Sequence, residues 1–105
     1  MLATTIEEGA VVALAGRLDV QGAGTARDAL HAAVDAGTGR LVVDMSEVEL
    51  LDATGLGVLV GTHRRARLAG RQLVLLDAVP RVVRILALTK VNRIIPIEWS
   101  DLPAA

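Results

Sequence analysis

The segment that most constrains the fold is Leu50–Gly57, which reads L-L-D-A-T-G-L-G and follows the aliphatic run Leu41–Asp44. This pattern is typical of a buried strand that delivers a small polar residue to the start of a helix. Free backbone N–H groups and the positive end of the helix dipole gather at such a start, so it favours hydrogen-bond acceptors and added phosphate. The chain is therefore predicted to contain a strand-loop-helix unit and to belong to the α/β class.

Length and composition are consistent with one domain over residues 1–105. The hydrophobic fraction is 52%, with one Trp and no Phe or Tyr, so Val, Leu, Ile and Ala must form the core. The absence of cysteine excludes disulfides and Cys nucleophiles. A net charge of −1 and the scarcity of aromatic residues argue against nucleic-acid binding. Apolar runs shorter than ten residues argue against membrane insertion, and a cytoplasmic location is expected.

Periodicity predicts the order β-β-α-β-α-β-α-β, with about five strands in a mixed, mostly parallel sheet and three or four helices. The expected strands are residues 2–7, 10–15, 41–44, 73–76 and 94–97. The expected helices are residues 21–36, 54–69 and 80–88. The first two strands are close enough in sequence to form a hairpin, and Pro96 places the last strand at a sheet edge.

The helix after the Asp contains three glycines in or beside its first two turns, and each interior glycine costs about 1 kcal/mol relative to Ala. Such a cost indicates a backbone that either the sheet or a partner approaches closely. One arc of this helix is expected to face the sheet: Leu56, Leu59, Val60, His63 and Ala66. The opposite arc is a candidate docking surface: Gly57, Val58, Gly61, Arg65 and Leu68. The alternative is that Val58 and Leu68 are ordinary isolated exposed side chains.

Three segments in order resemble the STAS domain of bacterial anti-sigma factor antagonists, and the likeness covers roughly residues 3–100. Gly16-Arg17-Leu18-Asp19 resembles the family's Gly-x-(Leu/Phe)-Asp after the second strand. Leu41–Ser46 resembles the central strand and its exit. Asp52–Gly57 resembles the phospho-acceptor loop, and Gly70 ends the following helix. The family commonly has a fourth, C-terminal helix, for which residues 100–105 leave little room.

The resemblance implies a regulator with no catalytic residues and no cofactor. In the family's partner-switching mechanism, the acceptor loop and the following helix bind an anti-sigma factor serine kinase, which frees a sigma factor. The kinase then phosphorylates the loop and the antagonist dissociates. The implied acceptor loop is Asp52, Ala53, Thr54 and Gly55, and Asp19 joins the partner-binding arc beside it. Self-association into a weak homodimer is a further candidate interaction.

Position 53 departs from the family pattern, because the usual phospho-acceptor Ser is replaced by Ala53, which has no oxygen to phosphorylate. Thr54 offers a hydroxyl one position later, as an alternative acceptor or as a helix cap, a role that Asp52 could also fill. A constitutively binding antagonist is the other interpretation. STAS modules also serve as accessory or scaffold subunits of transporters and stress-signalling complexes without a phospho-switch.

Other chemistries lack the residues that they need. Without Cys or a pair of His, a transition-metal site has no ligand set. His63 lies on the predicted core arc and is expected to be structural. Asp44, Glu47, Glu49 and Asp52 follow the central strand and are interpreted as solvated turn carboxylates. The glycine pairs lack the Gly-Lys-Ser/Thr of a nucleotide loop.

Overall fold

The structure, a computed structural model, describes residues 1–100. Its strands are β1 (Leu2–Glu7), β2 (Val11–Leu18), β3 (Arg40–Leu51), β4 (Gln72–Leu76) and β5 (Ile97–Glu98). Its helices are α1 (Ala23–Asp35), α2 (Ala53–Leu68) and α3 (Pro80–Leu88), with a short 3₁₀ turn at Val91–Arg93. The predicted order and the α/β class are confirmed.

The five strands form one sheet in the order β1-β2-β3-β4-β5. The hairpin strands β1 and β2 are antiparallel, and every other neighbouring pair is parallel. The predicted hairpin followed by a parallel sheet is therefore confirmed. Because β2, β3 and β4 are parallel, the loops that follow them all emerge at the carboxyl ends of these strands.

All three helices bury their apolar side chains in one core cluster with one face of the sheet. That face presents the alternate residues Leu41, Val43, Leu73 and Leu75, all fully buried. Helix α1 contacts β1 and β2, α2 contacts β3 and β4, and the two helices contact each other. The described part of the chain is therefore a helical layer on one side of a sheet.

The central strand is longer than predicted, because β3 continues past Asp44 to Leu51. Val48 and Leu51 are buried, and Leu51 pairs with Leu18 at the extended end of β2. The carboxylates predicted to crowd a turn instead stand on this strand, apart from Asp52. Register shifts in β2–β3 break the simple alternation, which obscured the strand in the sequence.

The last strand is shorter and later than predicted. Residues 91–93 form the 3₁₀ turn, and β5 begins at Ile97, after Pro96. Pro96 has no N–H to donate to a ladder, so the strand starts only beyond it. Strand β5 does lie at an edge, as expected. The predicted lack of room for a fourth helix concerns residues 100–105, of which residues 101–105 lie outside the described range.

Arg71 is a buried cation whose hydrogen bonds connect several elements. It is 4% exposed, and its guanidinium donates to the backbone carbonyl oxygens of five residues at 2.8 to 3.3 Å and, through a shorter contact, to that of Gly9. The acceptors are the carbonyls of Gly9, Ala33, Val34, Thr38, Gly39 and Arg40. Ala33 and Val34 belong to the last turn of α1, where carbonyls lack helical partners and the dipole is negative.

The turn before β2 requires glycine at position 9, because the backbone at the end of α1 lies directly against it. Gly9 has φ +69°, and a Cβ there would lie 2.7 Å from the carbonyl oxygen of Ala36. The β1–β2 turn and the end of α1 are thus in backbone contact, and Arg71 bonds to both.

We expect Arg71→Lys to lower the free energy of unfolding by about 2 kcal/mol, because an ammonium cannot reach the same set of carbonyls and leaves buried acceptors unpaired. Urea unfolding followed by circular dichroism measures the change. Arg67→Lys is the matched control, since the Arg67 side chain is exposed and makes no hydrogen bond within residues 1–100. Equal stability of the two variants would contradict the assigned role of Arg71.

Candidate functional site

Two loops meet where β2 and β3 end. Leu18 and Leu51 are paired at the ends of these strands, and the backbone N–H of Asp52 donates to the carbonyl of Leu18 at 3.3 Å. Gly55 lies directly against the same carbonyl, and a Cβ at position 55 would lie 2.1 Å from that oxygen. The first turn of α2 therefore requires glycine here because the β2 backbone occupies the space of a side chain.

Asp52 is the N-cap of α2. Its side chain accepts a hydrogen bond from the Gly55 N–H at 2.9 Å, with extended backbone angles of φ −112° and ψ −174°. Of the two capping candidates, Asp52 and not Thr54 fills this role. Ala53 is the first helical residue and is exposed, and Thr54 follows it, half-buried. The hydroxyl of Thr54 is thus not committed to capping.

Asp19 orders the neighbouring loop. Its carboxylate accepts hydrogen bonds from the N–H groups of Gln21 and Gly22, at 3.0 and 3.1 Å. The bond from Gly22 is the main cause of a lowered pKa at Asp19, and Arg17, 3.4 Å away, acts in the same direction. Arg17, Asp19, Val20, Gln21 and Asp52 line one shallow depression. The structure therefore brings Asp19 beside the predicted acceptor loop.

The exposed face of α2 retains part of the predicted docking arc. Gly57 and Leu68 are exposed, Leu68 at 91%, and Gly61 is half-buried between them. Val58 was placed on this face by the helical wheel, and that prediction was wrong: its side chain is 5% exposed. Helix α2 packs against α1 as well as the sheet, which rotates its buried arc towards Val58.

Arg65 lies exposed at the border between α2 and α1. Its guanidinium bonds both carboxylate oxygens of Asp35 on α1, at 3.1 and 2.6 Å. This pair lowers the pKa of Asp35 and raises that of Arg65. Arg65 therefore lies at the edge of the docking face and is already paired within the chain.

Two residues that the sequence interpretation left out of the docking arc lie on it. Val60 is half-buried rather than part of the core, and Arg64 is exposed. Both fall on the spacing that runs from Gly57 through Gly61 to Leu68, so helical periodicity taken from Gly57 could have found them. The outer face of α2 is defined from here on as Gly57, Val60, Gly61, Arg64 and Leu68.

The glycines of α2 divide into two kinds. Gly55 is packed against β2, whereas a Cβ added at Gly57 or Gly61 would have nothing within 4 Å. The fold of residues 1–100 therefore gives no packing reason for the two outer glycines. They leave a flat strip of backbone that a second molecule could approach closely.

His63 is a core residue, as predicted. It is 8% exposed, and its Nδ1 has no hydrogen-bond partner within the described residues. Burial lowers the pKa of His63, and the nearby Arg67 and Arg64 lower it further, so both effects favour the neutral ring. Its position beneath the outer face suits packing better than proton transfer.

The arrangement is suited to recognition. Its polar groups satisfy backbone N–H groups of their own loops, and its helix offers a flat, partly apolar surface. Residues 1–100 contain no cluster of three or more His, Asp or Glu able to hold a metal ion. None of the helices described is long and apolar enough to cross a bilayer.

We expect alanine to separate the two kinds of glycine. Gly57→Ala and Gly61→Ala should each raise the free energy of unfolding by about 0.5–1 kcal/mol, because helix propensity improves and no clash arises. Gly55→Ala should lower it by about 1–3 kcal/mol through overlap with the Leu18 carbonyl. Urea unfolding of the three variants checks the order, which a destabilised Gly61→Ala would contradict.

Comparison with known proteins agrees with this architecture. Residues 1–100 match the STAS domain family. The anti-sigma-B factor antagonist of Bacillus subtilis is 33% identical over 87 residues, which cover 83% of this chain and 79% of that protein. A Thermotoga maritima protein, TM1081, described as an anti-sigma factor antagonist, is 26% identical with a TM-score of 0.76, over 90% of this chain and 82% of that one.

The Bacillus anti-sigma factor antagonist SpoIIAA in its unphosphorylated form has a TM-score of 0.68 over 97% of this chain and 88% of its own. At 17% identity, that likeness supports the fold alone. The family match and the B. subtilis relative support, in addition to the fold, membership in a family of anti-sigma factor antagonists. The chain belongs to the STAS domain family of anti-sigma factor antagonists.

Proposed function

We propose that this protein binds a kinase-type anti-sigma factor in the cytoplasm and acts as a non-catalytic regulator of transcription. The observation that carries the proposal is the outer face of α2, where Gly57 and Gly61 have no packing role within residues 1–100. This face begins one turn after Asp52, the residue that caps the N-terminus of α2. Family membership supplies the class of partner, since the relatives are named antagonists of anti-sigma factors.

The proposed epitope combines the acceptor loop, Asp19 and the outer face of α2. Close approach of a partner backbone to the glycines would allow tight packing, while Leu68 and Val60 supply apolar area. Arg64 makes no ion pair within residues 1–100 and is available to an acidic side chain of the partner. Val58 is buried in the core cluster and does not contribute to this face.

The proposed interaction is constitutive, because Ala53 stands where the family's phospho-acceptor Ser is expected. In a switching antagonist, phosphate adds about −1.5 to −2 charges at that position. Here it would enter beside Asp52 and close to Asp19, two carboxylates already in place. A tenfold to hundredfold loss of affinity requires only about 1.4 to 2.7 kcal/mol, which such crowding of charge in an interface readily supplies. Without an acceptor at position 53, that release step is absent.

The docking face can be tested with Gly61→Glu. The added carboxylate would project from a flat surface into the partner, so we expect binding to a kinase-type anti-sigma factor to fall by at least about 100-fold. Isothermal titration calorimetry measures the affinity, and thermal unfolding of the variant should be nearly unchanged.

Ala87→Glu is the matched control, since it adds the same side chain at an exposed position of α3. The control should bind like the parent protein. Full binding by a folded Gly61→Glu variant would place the interface elsewhere, as would be expected of an accessory subunit that uses another surface.

Absence of the switch can be tested by incubation with the kinase and Mg-ATP, followed by intact-mass spectrometry. We expect the parent protein to gain no phosphate and Ala53→Ser to gain one, because that change restores the hydroxyl at the start of α2. Ala53→Ser should bind less tightly after phosphorylation than before.

Thr54→Val is the control for the neighbouring hydroxyl. A phosphate gained by the parent protein and lost in Thr54→Val would locate a switch at Thr54 and overturn the constitutive mechanism. It would leave the docking surface as proposed.

A further inference from the structure

The outer edge of β1 is an unpaired strand edge with few of the usual defences against pairing. Strand β1 ends the sheet, so one row of its backbone N–H and C=O groups has no partner within residues 1–100. Edge strands are commonly protected by Lys, Pro, inward-pointing charge, a β-bulge or very short length. Residues 2–6 read L-A-T-T-I and carry none of the protective residues; the first charge is Glu7.

The opposite edge of the same sheet is protected. Strand β5 is two residues long, follows Pro96 and ends at Glu98, which is hydrogen-bonded to Arg40. The contrast singles out the β1 edge, which has six residues. A register shift between Thr5 and Glu7 perturbs only its far end and leaves Leu2–Thr5 regularly paired with β2.

The side chains of β1 favour self-pairing. Leu2 and Thr4 stand opposite Ala15 and Ala13 of β2, on the sheet face away from the helical core. Leu2 and Ile6 are each 63% exposed and leave apolar area on this strand open to a second copy. An antiparallel pair centred on Thr4 would place the two Thr4 residues opposite each other and Ala3 of each copy opposite Thr5 of the other, all within the regularly paired part of β1. Leu2 and the register-shifted Ile6 would flank this pair.

Charge supports the same register. In a pair centred on Thr4, Glu7 of each copy falls opposite Met1 of the second copy, so no like charges oppose each other. Aliphatic and Thr–Thr cross-strand pairs are among the favourable ones in antiparallel sheets. The strand is therefore complementary to itself about a two-fold axis.

We infer that the β1 edge is a self-association surface, through which two copies join their five-stranded sheets into one ten-stranded sheet. One short strand pair buries less than the roughly 800 Å² per partner of a stable interface, so the dimer is weak and concentration-dependent. The outer face of α2 is not part of this contact. The dimer is independent of the proposed binding to an anti-sigma factor.

A cysteine on the two-fold axis tests the register, because the chain has no native cysteine. Residues directly opposite in an antiparallel pair have Cα atoms about 4.5–5.5 Å apart, within the range that a disulfide bridges. Under mild oxidation, Thr4→Cys should form a cross-linked dimer on the order of tenfold faster than Leu88→Cys, an exposed control on α3 at 76%.

Sedimentation from micromolar to millimolar concentration tests the association itself. The parent protein should shift towards a dimer, and Leu2→Lys/Ile6→Lys should remain a monomer with its circular dichroism unchanged. Leu88→Lys should behave like the parent. Sedimentation as a monomer throughout, a dimer that survives the double lysine change, or equal cross-linking of the two cysteine variants would each overturn the inference.

Discussion

The hydrogen bonds of Arg71 are the interaction on which the arrangement of the elements depends. One guanidinium, placed just before β4, holds the β1–β2 turn, the end of α1 and the start of β3 through their carbonyl oxygens. Within residues 1–100 its charge is balanced by peptide dipoles, including the negative end of α1, and not by a carboxylate. Once this end of the sheet is fixed, the positions of the parallel strands β2 and β3 are fixed as well. The loops that follow them, which contain Asp19 and Asp52, therefore meet at the other end of the sheet.

The elements that follow a simple periodicity were predictable from the sequence. Strand β4 reads as a continuous aliphatic run, and α3 begins at Pro80, where a missing N–H costs nothing. The extent of β3 was not predictable in the same way. Its second half alternates acidic and aliphatic residues, and its pairing with β2 includes register shifts that a period of two does not describe. The role of Arg71 depends on six carbonyls from distant segments, for which sequence offers no local signal.

The loop residues of the candidate site were predicted from the sequence, but the rotation of helix α2 about its axis was not. Asp52, Gly55 and Asp19 could be placed because their chemistry is local: a cap, a tight turn and a loop carboxylate beside a helix start. The outer face of α2 could not be assigned reliably, because a helical wheel assumes one buried side. Helix α2 has two packing surfaces, the sheet and α1: Val58 is buried, and Arg65 pairs with Asp35 of α1. Only the three-dimensional arrangement separates glycines that the fold needs from those that it does not.

Asp52 caps helix α2, whereas position 53 would carry the phosphate in a switching relative, and this separation of roles has an evolutionary consequence. The residue that starts the helix by bonding to Gly55 is Asp52, whereas the side chain at position 53 points to solvent and supports no contact that the fold requires. Serine and alanine can therefore be exchanged at position 53 with little effect on folding. A lineage could lose or regain regulation by phosphorylation through a single codon change at position 53 while keeping the same fold. The mode of regulation in such proteins can therefore evolve faster than their structure.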